Sequence, residues 1–474
     1  MYALLVLTSL SCVFFGNAWN FKIQFFYNAI VLIGGFFFVS KSFVRKSIVL
    51  PADYLSFFVA IAISAFSIAI SPVKNLITGE YINFLCGCFL FFLSINLKEE
   101  IKKRNNIIYI FLWIIILLSF YQLFKADEVY STFKNSNTLA FFSILAVSFC
   151  LENKKYLLSI LLLFVILMAK SIGAILSITI VSIYYFLNQE AFLKYRKKII
   201  AALIFLAFIG ILFIDIHSIS DRLNWWMASI RIFSERPLFG WGIGAFNLIY
   251  RAIDNHIGIS SIYVHNYYLE TLLENGIFFF LIWFYWIFKN IFSAEGFYKY
   301  GLIAALLHSF FDFGLSTIYG FYFFMFLFGI GAKGVNLNFK NNVSKYFISL
   351  ALFIFVLKFF NYSYENIYVE NTIYKMENSI SNNEIGEAEI LSERALNRYP
   401  LNYDLNKMRS KILVSKNKAD NKELFKLSVS LEKQLIINPY DIEAYSQLER
   451  IYGFISPELL EELHKRKYKY IKWR

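Results

Sequence analysis

Apolar runs long enough to cross a bilayer recur from the first residue to about 360, separated by short polar stretches, and then stop. The pattern predicts helical spans at 2–16, 22–40, 52–71, 80–97, 106–124, 137–151, 156–169, 172–188, 199–215, 266–288, 301–315, 319–332 and 346–360, about 13 in all. The first run, MYALLVLTSLSCVFFGNAW, lacks a basic leading segment and reads as a span rather than a secretory signal. Two intervals break the rhythm: the polar stretch 216–265, and everything after 360, where Lys, Glu, Asn and Leu replace the Phe-rich runs. The expected fold is all-α: a polytopic membrane bundle over 1–360 with one large loop, 216–265, followed by a helical domain over 361–474.

Composition sharpens this class without changing it. Hydrophobic residues make up 58% of the chain and Phe occurs 55 times. The net charge of +13 resides mostly in short loops: KSFVRK (41–46), KEEIKKR (98–104), ENKK (152–155), LKYRKK (193–198), KNIFSAEGFYKY (289–300) and KGVNLNFKNNVSK (333–345). Under the predicted spans all six fall on one side, which the positive-inside rule assigns to the cytoplasm. The charge therefore orients the chain, and nucleic acid is not expected as a partner. The loop 216–265 and the tail then face outward, where cytoplasmic ATP and nucleotide sugars are out of reach. Cys12, Cys86, Cys88 and Cys150 all sit in apolar runs and read as buried hydrophobes rather than disulfides or metal ligands.

Within the tail, AEILSERALNRYPLNYDLNKMRSKIL and ELFKLSVSLEKQLIINPYDIEAYSQLERIY repeat at a period of about 39, with Pro400-Leu401-Asn402 matched by Pro439-Tyr440-Asp441. A helix, a proline-centred turn and a second helix resemble tetratricopeptide-type hairpins. A generic helical domain and a docking surface for an acceptor or partner both fit.

The loop carries Arg222, Arg231, Arg236, Arg251, His256 and His265. Cations held against a bilayer are costly unless they meet anions, and guanidinium binds phosphate oxygens bidentately without losing its charge. A diphosphate is the expected anion, with Arg222 and Arg231 its favoured ligands; lipid headgroups, Asp221, Glu235 and Asp254 are the competing partners. Gly240, Gly242 and Gly244 in PLFGWGIGAF precede no Lys-Ser/Thr and follow no strand, so they read as a sharp backbone turn rather than a phosphate loop. His265 stands where the chain returns to the membrane, followed by Asn266, Glu270 and Glu274. A water-accessible histidine there can take the proton of an attacking hydroxyl, and a purely structural histidine is the alternative. His308 and Asp312, four apart in LHSFFDFGL, are expected to form a buried polar pair that holds the site together.

RLNWW, PLFGWGIG, HNYYLETLLENG and HSFFDF, in that order, resemble the bacterial O-antigen ligase and polymerase superfamily, which includes the O-linked protein oligosaccharyltransferases. Upstream, STFKNSNTLAFF (131–142) resembles the family's asparagine-containing span start, and AKSIGAIL (169–176) its Ser-Arg-Gly-Ala segment, so the resemblance covers about 130–330. Ile172 stands where the family has arginine, and Lys170 is the residue able to supply that charge.

The resemblance implies a glycosyltransferase of the C-type class in a bacterial inner membrane. It would take a glycan from polyprenyl diphosphate at the periplasmic face and invert the anomeric centre. His265 is implied as base, and Arg222, Arg231 and Lys170 as diphosphate ligands. Asn137, Asn266, Glu274, His308 and Asp312 are implied as supporting residues. No cofactor and no metal are expected, since no outer loop carries an Asp-x-Asp pair. Trp225-Trp226 runs into Met227-Ala228-Ser229, unlike the WWDYG motif of N-linked oligosaccharyltransferases. Three acceptors stay open: a lipid A-core sugar, a protein Ser/Thr, or the end of another glycan, the last making the chain a polymerase. A transporter or membrane scaffold with a docking tail is the alternative of another class, for which the inverted repeats of transporters are not evident.

Overall fold

A computed structural model of the chain describes residues 21–45, 47–126, 128–133, 135–189, 197–198, 201, 216–253, 261–338, 342–416 and 421–471. The expected span 2–16, all of 199–215 except residue 201, most of the LKYRKK cluster, Cys12 and His256 lie outside the described residues. The membrane part comprises α1 (Phe21–Arg45), β1 (Ser47–Pro51), α2 (Tyr54–Ala69), α3 (Lys74–Asn96), α4 (Lys98–Lys103), α5 (Asn106–Leu123), α6 (Ser136–Glu152), α7 (Tyr156–Met168) and α8 (Ile172–Leu187). It continues through α9 (Ile216–Glu235), α10 (Phe246–Ile253), α11 (Tyr267–Phe292), α12 (Gly296–His308), α13 (Ile318–Gly331) and β2 (Gly334–Asn338). Among the described residues α3, α5 and α11 are long and apolar enough to cross a membrane, and shorter apolar helices surround them.

Two kinds of surface identify a protein solvated by lipid. The inner faces interlock through aromatic side chains: Trp283 and Trp286 of α11 are fully buried and pack against Phe84 and Phe91 of α3. The outer faces leave Leu117, Tyr121, Leu157, Phe164, Leu281 and Phe292 exposed, a band of large apolar side chains that a water-soluble monomer does not present.

The basic loops gather at one end of the bundle. β1 pairs antiparallel with β2, Ser47 opposite Asn338 and Pro51 opposite Gly334, joining the loops that follow KSFVRK and open KGVNLNFKNNVSK. This small sheet is a departure from the purely α-helical expectation. Each strand is too short for a helix, and Asn96 satisfies both the N–H and the C=O of Val49 at 2.8 Å. At the same end Lys98 pairs with Glu295 at 2.7 Å, and Glu152 accepts from the Phe297 N–H at 2.7 Å.

The tail begins without a break. α14 (Asn342–Ser381) is a single 40-residue helix with no Gly or Pro, so the boundary expected at 360 falls within it. At 1.5 Å per residue it is about 60 Å long. α15 (Ile385–Arg398) and α16 (Tyr403–Ser415) form one hairpin, α17 (Asn421–Ile437) and α18 (Ile442–Ile455) the next, and α19 (Pro457–Tyr470) ends the series. The matched turns do matched work: Asn402 caps α16 by accepting from the Leu405 N–H, and Asp441 caps α18 by accepting from the Ala444 N–H, each at 3.1 Å. Apolar residues of this domain, among them Leu431, Tyr440, Tyr445 and Leu448, share one core with Trp225, Trp241, Tyr250 and Leu273 of the polar-loop region. The tail therefore packs on the loop.

Candidate active site

The site is assembled where α9, the start of α11 and the end of α12 converge. The sequence treats 216–265 as a loop, but its first part folds as α9, and helical geometry then sorts its side chains. Arg222 and Trp225, three residues apart, share a face. Arg222 Nη2 donates to Asp312 Oδ2 at 3.1 Å, and Trp225 stacks on the His265 ring with centroids 4.6 Å apart. Phe313, next to Asp312, meets the other side of that ring edge-on at 4.6 Å. One pair of neighbours on α9 and one after α12 thus hold both charge and imidazole.

Arg222 pairs with Asp312, a partner outside the competing carboxylates Asp221, Glu235 and Asp254, the last of which lies outside the described residues. The pair uses Nη2, and Nε is buried with no partner among the described residues, a costly state for a guanidinium. Asp312 also accepts from the Phe313 N–H at 2.8 Å. The expected side-chain pair between His308 and Asp312 is not formed. They are joined by backbone, Asp312 N–H to His308 C=O at 3.1 Å, while His308 Nε2 lies 3.4 Å from Ser171 Oγ. His308 is fully buried and acts as a strut between α8 and α12.

His265 adopts φ of 56°, the left-handed region that non-glycine residues rarely occupy. Asn266 explains why the chain turns here. Its side chain caps α11, accepting from Tyr268 and Leu269 N–H groups at 3.0 and 3.1 Å, and it is buried. Burial first, and the Arg222 charge second, hold the imidazole down to about 3, so it is neutral at any physiological pH. Its Nδ1 is buried with no partner. The ring lines a cavity of about 170 Å³ together with Glu80, Asn135, Tyr263, Ser316 and Thr317.

Glu274 is structural support for this arrangement. α11 is broken at Gly276, whose φ is 75° and ψ 177°. The carbonyls freed by the break, Leu273 and Glu274, accept from Trp241 and Gly242 N–H groups at 3.2 and 2.6 Å, and Ile277 N–H donates to Pro237 C=O at 2.9 Å. The Pro-Leu-Phe-Gly-Trp-Gly turn is therefore stitched backbone to backbone into a broken helix. A Cβ on Gly240 would lie 2.4 Å from Glu274 O, and one on Gly276 2.3 Å from Leu238 O. These glycines permit a sharp turn, as expected, and also a close approach that the sequence does not display. The Glu274 carboxylate accepts from Phe246 N–H at 3.3 Å and so secures α10 as well.

Gly276→Ala is expected to be severely destabilising. Its dihedrals belong to a region open essentially to glycine alone, with strain of about 1–3 kcal/mol before any collision with Leu238 is added. A lowered melting midpoint in detergent, together with loss of the Trp241 environment in tryptophan fluorescence, checks it.

The remaining expected residues lie further out. Arg231 is nine positions beyond Arg222, about two and a half helical turns, and so emerges on the opposite side of α9, where it is exposed. Lys170, with φ of 52°, is exposed and precedes Ser171, the residue that meets His308. Asn137 is half-buried in the first turn of α6; its neighbour Asn135 both caps that helix and lines the His265 cavity. Sequence reasoning passed over Asn135 and Glu80. The signal for Glu80 was present, since an isolated carboxylate beside an apolar run is a functional candidate by default.

Arg236 and Trp241 close the site toward the tail. The guanidinium lies 4.6 Å from the indole ring, the indole N–H donates to Ile232 C=O at 2.9 Å, and Tyr440 meets the indole edge-on at 5.7 Å.

No curated protein and no solved structure matches the chain. A family model described as O-antigen ligase does match, over residues 157–284, the stretch that contains Lys170, Arg222, Arg231, the glycine turn, His265, Asn266 and Glu274. The match supports the O-antigen ligase and polymerase superfamily, and with it a membrane enzyme of the glycosyltransferase kind acting on a lipid-linked glycan.

Proposed function

We propose that this chain transfers an oligosaccharide from polyprenyl diphosphate to an acceptor hydroxyl at the periplasmic face of the inner membrane, with inversion and without a metal. The observation that carries the reading is the convergence of Arg222 and His265: a guanidinium with a buried, unsatisfied Nε stands beside a neutral imidazole that lines an open cavity. The diphosphate docks on the free side of the Arg222 fork, and Lys170 and Arg231 remain outer candidates for its charge. The acceptor oxygen loses its proton to His265 and attacks the anomeric carbon, and lipid diphosphate departs with its charge facing Arg222. Docking also tunes the base. A dianion beside Arg222 offsets the second of the two causes that depress the His265 pKa, so the imidazole becomes a better proton acceptor once donor is bound.

A large acceptor, a lipid A-core sugar or a protein Ser/Thr, is favoured by the tail, which packs against the loop and extends the surface around it. Polymerisation onto another glycan is the second reading, and it uses the same chemistry. Mass spectrometry of surface glycolipids and glycoproteins from a deletion strain separates them. Loss of a capped lipid A-core or a glycoprotein supports transfer to that acceptor, while shortened chains on an otherwise decorated acceptor support polymerisation.

Orientation has its own test. Phe454 is among the most exposed residues of the tail, and Cys86, Cys88 and Cys150 are buried. A Phe454→Cys protein is expected to react with a membrane-impermeant maleimide in intact spheroplasts; reaction only after lysis contradicts a periplasmic tail.

A further inference from the structure

Glu80 on α3 is held from two sides yet opens on the site. A buried chain of polar groups leads to it. The Tyr322 hydroxyl donates to Asn28 Oδ1, Asn28 Nδ2 donates to Asn83 Oδ1 at 2.7 Å, and Asn83 Nδ2 donates to Glu80 Oε2 at 3.2 Å. Asn28, Asn83 and Tyr322 are each buried, so the amide chain has no solvent alternative and fixes the carboxylate. On its other flank Glu80 packs against the glycine turn, where a Cβ on Gly244 would lie 2.7 Å from Glu80 Cγ. The carboxylate itself is exposed to the cavity it shares with His265, and it also lines a smaller one of about 70 Å³ with Glu270, Glu274 and Asn275.

Glu270 and Glu274 are committed to backbone, accepting from Val264 and Phe246 N–H groups at 2.9 and 3.3 Å. Glu80 accepts from Asn83 alone, and no cation pairs with it among the described residues. Asn275, also buried, lines the smaller cavity, and its Oδ1 has no partner. The space between is polar, lined by carboxylates and by the hydroxyls of Tyr263, Ser316 and Thr317, which suits hydroxyl groups and protons. His265 lacks the carboxylate on its second nitrogen that ordinarily stabilises an imidazolium, since its Nδ1 has no partner.

We propose that Glu80 receives the proton that His265 removes from the acceptor hydroxyl, so that proton abstraction in this site is shared between an imidazole and a carboxylate across one cavity. The inference rests on the transferase reading given above. The acceptor O–H proton passes to His265 and from it to Glu80. The oxygen's electron pair forms the bond to the anomeric carbon, whose bond to the diphosphate oxygen breaks with its pair leaving on the diphosphate. Burial and the nearby arginine make the imidazole a poor resting place for that proton, and a carboxylate fixed at the same cavity supplies one.

The test uses the full chain in detergent or liposomes with a polyprenyl-diphosphate-linked glycan. Wild-type transfer is measured first and tests the transferase reading separately. Glu80→Gln, which preserves shape and the contact with Asn83, is expected to bind donor normally and to turn over about 10²-fold more slowly. Glu80→Ala leaves room for a small carboxylate, and added formate is expected to restore its turnover by about tenfold or more. Glu80→Gln turnover within about twofold of wild type overturns the proposal. A folded, donor-binding but slow Glu80→Ala protein that does not respond to formate also overturns it, because a merely structural carboxylate is not rescued in solution.

Discussion

Arg222→Ala is expected to weaken donor binding and slow turnover, together by about 10³-fold, because in the proposed transfer the guanidinium meets the diphosphate before and during its departure. A second effect accompanies the first. Asp312 has only 3% of its side chain exposed and pairs with Arg222, so the alanine variant leaves a buried carboxylate without its cation. Breaking such a pair by removing one partner costs about 3–5 kcal/mol. Arg222→Lys separates the two effects. It keeps a charge for Asp312, restoring the melting midpoint, but an ammonium cannot present a planar fork to two oxygens, so donor binding and turnover recover only in part. A lysine variant with wild-type affinity removes bidentate recognition from the mechanism, and an alanine variant with wild-type affinity removes Arg222 from the donor site.

His265→Ala should behave differently. Turnover is expected to fall by about 10²–10⁴-fold while donor binding stays near normal, since in the proposed transfer the imidazole acts on the acceptor proton. The pH dependence follows from an imidazole held at about 3. In the donor-free protein it remains neutral from pH 8 down to about 5, so titration of His265 produces no fall of kcat/KM near pH 6.5, where an ordinary histidine would be half protonated. For stability the sign is fixed by the same depression. The unfolded chain binds a proton at this position below about 6.5 and the folded one does not until about 3, so stability is complete above 6.5 and declines as pH falls toward 3. A folded His265→Ala protein with near-normal transfer returns the histidine to a packing role between Trp225 and Phe313.

Much of the membrane architecture was legible because span length and hydropathy are local properties. Runs expected at 106–124, 156–169 and 172–188 fold as Asn106–Leu123, Tyr156–Met168 and Ile172–Leu187. The candidate site was legible in its residue types but not in its pairings. Asp312 lies 90 residues from Arg222, and nothing in the chain between them announces the contact. The sequence presents 216–265 as one polar loop and so groups Arg231 with Arg222; once 216–235 is a helix, 3.6 residues per turn sends the two to opposite faces. The glycine turn carried half its signal. Its conformational freedom could be read from the residues, whereas the need for close backbone approach arises from the break at Gly276 on another helix. The β1–β2 pairing was illegible because ten residues in two distant loops carry no periodic pattern long enough to detect. The tail's paired turns were visible as repeats, but its shared core with the loop depends on Trp241 and Tyr440, about 200 positions apart.

In the proposed transfer Arg222 and His265 act on one lipid-linked donor and one acceptor hydroxyl. The most direct measurement follows a polyprenyl-diphosphate donor carrying a labelled glycan, given to the purified full-length chain with its acceptor in excess EDTA. Label is expected to move to an acceptor hydroxyl with inverted anomeric configuration while free polyprenyl diphosphate is released in equal amount. His265→Ala is expected to bind the donor but release little diphosphate, whereas Arg222→Ala fails at binding. Retained configuration, transfer that stops in EDTA and returns with Mg²⁺, or equal activity in both variants and the wild type contradicts the proposed transfer.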